Sequence, residues 1–127
     1  MSIKKLKSLR ILSSACVLAA GLISQQAFAH AHLKTETPAA DSQISVAPTE
    51  LTLGFSEGVE PNFSKVELRG PDNKSVKTGD FKLAAKDNTQ VLIALPTPLT
   101  SGKYLVSWHV VSVDSHKTQG EYSFTVK

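Results

Sequence analysis

Val106, Trp108 and Val110 alternate with the polar Ser107 and His109. A period of two puts the apolar set on one face of a strand and the polar set on the other. The chain has one Trp, and its place in the middle of this run lets a large ring anchor a small core. The same alternation returns at Leu51, Leu53 and Phe55, at Val66 and Leu68, at Val91, Ile93 and Leu95, and at Tyr122, Phe124 and Val126. A further strand is predicted over 33–37 and a less regular one near 76–83. Turn formers fill 38–42, 70–73, 86–88 and 96–102. No stretch sustains the 3.6-residue apolar period of a helix. Seven or so short strands in a chain of this length predict an all-β fold. It is a seven-stranded, immunoglobulin-like β-sandwich or barrel, most simply wired as a Greek key.

Ser101-Gly102-Lys103-Tyr104 places a Tyr just after a Gly turn and at the start of a strand. That arrangement resembles the tyrosine corner of immunoglobulin-like sandwiches, and a plain core Tyr fits it equally well. There is no internal repeat, low-complexity segment or inter-domain linker.

Residues 1–29 are predicted to be a cleaved export signal. Lys4, Lys5, Lys7 and Arg10 form a basic start, 11–23 is mostly apolar, and Ala27-Phe28-Ala29 is the small-x-small pattern read by signal peptidase. The apolar run, interrupted by Ser13 and Ser14, is too short for a membrane span. The leader holds four of the 14 basic residues and none of the 11 acidic ones, so residues 30–127 carry ten against eleven, and the formal +3 becomes −1. The basic balance therefore belongs to the leader, and no nucleic-acid footprint is left. The only Cys, Cys16, and the only Met, Met1, leave with it. Ser13-Ser14-Ala15-Cys16 is a faint lipoprotein site, but cutting there would leave half the apolar run attached. What remains is one exported domain, 30–127, stabilised by core packing without a disulfide and not embedded in a membrane.

Candidate chemistry lies at both ends of that domain. Asp114 and His116, two residues apart in the loop after the Trp strand, can share a face and converge on a metal, or be a solvated turn. Cleavage after Ala29 makes His30 the first residue, whose α-amine and ring Nδ1 can chelate one ion. Two such nitrogens suit Cu(II), and both can be deprotonated near neutral pH. Ala29-His30-Ala31 is a rival cut site that would put His32 first. With His30 first, His32 stands at position three, where the amine, two backbone amides and its imidazole can wrap Cu(II) in a plane. A plain exposed strand residue is the alternative for His32. Glu57 closes the Leu51–Phe55 strand, a common and usually silent place for a carboxylate. His109 points away from Trp108 and is read as structural.

The combination resembles the CopC family of periplasmic copper-binding proteins, most of all its short YobA-like members. The matching pieces are His30-Ala31-His32-Leu33, Thr37-Pro38-Ala39 and Phe55-Ser56-Glu57, then Leu99-x-x-Gly102-x-Tyr104-x-Val106-x-Trp108. Val111-Ser112-x-Asp114-x-His116 and Tyr122-x-Phe124-x-Val126-Lys127 complete the set. The resemblance implies a seven-stranded Greek-key β-fold. It also implies a Cu(II) site of His30, Asp114 and His116, with Glu57 as an axial or outer carboxylate. His32 is an alternative ligand. Some members of the family hold Cu(I) in a Met-rich loop; residues 30–127 contain no Met, so only a Cu(II) site is implied. The implied role is copper homeostasis in the periplasm: buffering, tolerance, or hand-over to an inner-membrane CopD-like importer.

Two alternatives come from other classes. A copper-dependent polysaccharide monooxygenase also centres on an N-terminal His and a second His. It needs an open copper position, which two carboxylates would crowd, and a broad substrate face. A metal-free immunoglobulin-like adhesion or assembly module would retain no copper.

Overall fold

The computed structural model describes residues 30–127. The predicted leader, with Cys16 and the residues up to Ala29, lies outside the described residues. Nine strands follow in order: β1 Leu33–Thr37, β2 Gln43–Ile44, β3 Glu50–Phe55, β4 Lys65–Arg69, β5 Ser75–Val76, β6 Lys82–Ala84, β7 Asp87–Ala94, β8 Gly102–Val111 and β9 Lys117–Val126. A 3-10 turn, Pro61–Phe63, precedes β4. Nine is two more than the seven expected, and the shortest, β2 and β5, are two residues long. Each pairs only at a sheet margin, β2 parallel to β9 and β5 antiparallel to β4.

The strands form two sheets, β1-β3-β7-β6 and β2-β9-β8-β4-β5. The chain changes sheet between β1 and β2, β2 and β3, β3 and β4, β5 and β6, and β7 and β8. That wiring is not an up-and-down meander: β3 pairs with the distant β1 and β7, and β4 with the distant β8. The alternation read in the sequence is the alternation of burial. Tyr104, Val106, Trp108 and Val110 of β8 are buried, while Lys103 and His109 are exposed. Leu51, Leu53 and Phe55 of β3 face them from the other sheet, and the Phe55 and Trp108 rings meet edge to face at 5.2 Å.

Two close approaches fix the β8–β9 half. Trp108 lies opposite Gly120 in the ladder, and a Cβ at 120 would stand 2.6 Å from the ring's Cζ2. Gly is required there because the indole covers the strand. At the start of β8, Gly102 has φ 141°, a backbone region that other residues rarely adopt. Two residues later the Tyr104 hydroxyl donates to the Thr100 carbonyl at 2.7 Å. Of the two sequence readings, the tyrosine corner is the one built.

Two expectations about boundaries need correcting. The stretch 76–83 is not one strand: β5 belongs to one sheet and β6 to the other, with the crossing between them. Asp87 and Asn88, read as turn, already lie in β7; Asp87 pairs with Ala84, leaving Ala85 and Lys86 as the turn.

Candidate metal centre

The loop between β8 and β9 is five residues long and is held from within. Ser112 is fully buried, and its N–H donates to the His116 carbonyl at 2.9 Å. Ser115 takes φ 71°, and its N–H donates to the Ser112 carbonyl at 2.8 Å. This turn brings Asp114 and His116 face to face, with Oδ2 of Asp114 3.1 Å from Nδ1 of His116. The Ser112 hydroxyl donates to Oδ1 of the same carboxylate and accepts from the His116 N–H at 3.2 Å. Those two neighbours, Ser112 first and His116 second, hold the Asp114 carboxyl below the ordinary carboxylate range. The carboxylate is thus charged and directed at the imidazole, as in the carboxylate–histidine pairs that orient metal ligands.

The N-terminal segment meets this loop. The rings of His30 and His116 stand edge to face, with centroids 4.5 Å apart. A metal–nitrogen bond of about 2.0 Å per ring lets one ion reach both at that separation. Nδ1 of His30 is buried and has no hydrogen-bond partner among the described residues. An unpaired buried nitrogen costs roughly 1–3 kcal/mol, a penalty that a metal bond removes. Ala31, between the two histidines, is fully buried. His32 is exposed, its ring centroid 6.4 Å from that of His30.

The end of β3 and the start of β9 tie this segment down. The His32 N–H donates to Ser56 Oγ at 2.9 Å, and the Ser56 N–H donates back to the His32 carbonyl at 2.8 Å. Ser56 Oγ donates to the His30 carbonyl at 3.1 Å, and Thr118 Oγ1 donates to the Ala31 carbonyl at 2.7 Å.

His30, Asp114 and His116 are therefore neighbours. Glu57 is exposed beside Ser56, and none of the hydrogen bonds or ion pairs found among the described residues joins it to the other three. Among the described residues no three His, Cys, Asp or Glu side chains converge into a ready-made cage. The cluster consists of two pairs that share His116. His109 lies on the outer face of β8, opposite Lys65 and Gln119, as its alternation predicted. Ser112, Ser56 and Thr118 are the contributors that sequence reasoning missed. Ser112 and Ser56 stand in the motifs quoted above, but their spacing says nothing of the bonds they make.

Residues 33–127 match the CopC domain family. The chain belongs to the CopC family. The match begins just after His30 and His32 and includes Glu57, Asp114 and His116. Protein YobA of Escherichia coli (strain K12) is 46% identical over 111 residues, covering 87% of this chain and 90% of that protein. The crystal structure of CopC from Methylosinus trichosporium OB3b superposes with a TM-score of 0.72 at 31% identity, covering 77% of this chain and 94% of that one. The structure of PcoC, described as a methionine-rich copper resistance protein from Escherichia coli, superposes with a TM-score of 0.69 at 36% identity, covering 78% and 100%. These likenesses agree with the two-sheet β-architecture.

Proposed function

We propose that residues 30–127 form a periplasmic Cu(II)-binding domain that buffers copper or hands it over. The observation that carries this reading is the His30–His116 edge contact at 4.5 Å, with Asp114 held 3.1 Å from His116. Copper is the cargo. In the chain that begins at His30, the α-amine and Nδ1 supply two nitrogens and His116 a third. Asp114 supplies the carboxylate. Both its oxygens are engaged, by Ser112 and His116, so it orients the imidazole until one is released to the metal. Glu57 serves as an outer carboxylate and His32 as an alternative ligand.

Cleavage after Ala29 is supported over cleavage after Ala31, because the later cut would remove a fully buried residue whose carbonyl Thr118 holds. The oxidation state follows from the donors: nitrogen and carboxylate without thioether favour Cu(II) over Cu(I). PcoC carries the description methionine-rich, whereas this chain has no Met after residue 1. The names of the relatives support tolerance, and a CopD-like importer is the partner proposed for hand-over. No helix among the described residues is long and apolar enough to cross a membrane. The domain is read as a binder, and neither the monooxygenase nor the metal-free module draws support from the relatives.

Metal analysis with N-terminal sequencing of the exported protein tests the proposal. One tightly held Cu(II) per chain, a first residue of His30, and no comparably tight site for Cu(I) under reducing conditions are expected. A correctly processed chain that loses copper on gel filtration contradicts it.

A further inference from the structure

A chain that starts His-Ala-His offers Cu(II) two destinations, the folded cluster and the planar wrap by its own backbone. Wrapping needs the N–H of Ala31 and of His32 to give their protons to solvent, and both nitrogens to swing into a plane with the amine and the His32 imidazole. The peptide between Ala31 and His32 is gripped on both sides. Its carbonyl accepts from Thr118 Oγ1 at 2.7 Å and its N–H donates to Ser56 Oγ at 2.9 Å. The peptide before it is held too, the His30 carbonyl accepting from Ser56 Oγ at 3.1 Å. The Ala31 side chain is fully buried, so turning this backbone would also pull a core residue into water. The two hydroxyls come from different parts of the fold, Ser56 from just past the end of β3 and Thr118 from β9 in the other sheet.

We infer that Ser56 and Thr118 are positioning residues that hold the Ala31–His32 peptide in place ahead of β1 and so steer Cu(II) from the backbone wrap to the His30–His116 cluster. This rests on the copper reading above. Neither hydroxyl is a ligand. They act by keeping the backbone from His30 to His32 in place, and through it the His30 ring beside His116.

An ordinary hydrogen bond corresponds to roughly a fivefold factor in an equilibrium. Ser56→Ala removes two such bonds and should move the balance between the two copper modes about five- to thirtyfold toward the wrap. Thr118→Val removes one and should move it about fivefold. The measurement is visible absorption and electron paramagnetic resonance at one fixed neutral pH, on protein beginning at His30 with one equivalent of Cu(II). The parent should show the weaker ligand field of amine, imidazoles and oxygen, while Ser56→Ala gains the stronger field of amide nitrogens. Ser56→Thr and Thr118→Ser, which keep the hydroxyl, should restore the parent spectrum. Ser56→Ala combined with His32→Ala should lose the new signal, because the wrap needs that imidazole.

Amide exchange in the metal-free protein reads the grip without copper. The His32 N–H should exchange several-fold faster in Ser56→Ala while amides in β8 stay protected. If Ser56→Ala and Thr118→Val keep the parent spectrum although the His32 amide is freed, the inference is wrong. A parent already bound in the wrapped mode overturns it as well. A parent that binds no copper overturns instead the copper reading on which it stands.

Discussion

Ser112 has no contact with solvent, and its hydroxyl ties the Asp114 carboxylate to the backbone of His116. The direction of the imidazole is thereby set within the loop itself. His116→Ala removes both the shared neighbour of His30 and the partner of Asp114. Cu(II) affinity should fall by orders of magnitude in competitive titration, whereas His109→Ala, on the outer face, should leave it nearly unchanged. Equal losses in the two variants would place the copper elsewhere. Asp114 also makes a prediction for the metal-free protein. Its carboxyl is held below its ordinary range by Ser112 and His116, so its contribution to stability is full above the unfolded-state value and is lost as pH falls through the folded one. The stability gap between parent and Asp114→Asn should therefore be present at neutral pH and close in acid. Urea unfolding across a pH series measures it, and a gap independent of pH would show that the charge is not what Ser112 and His116 stabilise. The Asp-x-His pair was legible because two residues sharing a loop stay near each other in any fold. Ser56 and Thr118 were not, because their partners lie 24 to 26 and 87 residues away in the chain.

At the scale of elements, the β8–β9 hairpin carries Asp114 and His116 of the proposed site on its loop and the Trp anchor on its ladder. Trp108 presses on Gly120 within the sheet and on Phe55 across it, so the hairpin is fastened in both directions. Gly120→Ala would drive a methyl group against the indole, and overpacking of this kind costs roughly 1–3 kcal/mol. Thermal or urea unfolding should show that loss. An unchanged midpoint would mean that the ring moves aside freely and does not pin β9. Alternation made β3, β7, β8 and β9 readable, since each buries one face. It could not show where 76–83 leaves one sheet for the other, because a change of sheet leaves the local pattern intact. Nor could composition locate the start of β7. Asp87 is a turn former by type, yet here its carboxylate accepts from the Thr89 N–H and hydroxyl while its backbone pairs with Ala84.

The whole molecule gathers three separate stretches at one place: the segment from His30, the end of β3, and the loop between β8 and β9. Two sheets with crossing connections make that possible, because β1 and β3 belong to one sheet and β8 and β9 to the other. The proposed function would couple export to metal binding. Only a cut after Ala29 leaves His30 with a free amine while Ala31 stays in the core. The most direct test is a Cu(II) competition titration of the chain that begins at His30, beside the same chain with one Met left ahead of it. The account predicts a loss of about a hundredfold or more in the extended chain, since the amine would be replaced by an amide, whose nitrogen has no lone pair free for the metal until its proton is lost. Equal affinities in the two would contradict it, for the amine of His30 would then not be a ligand.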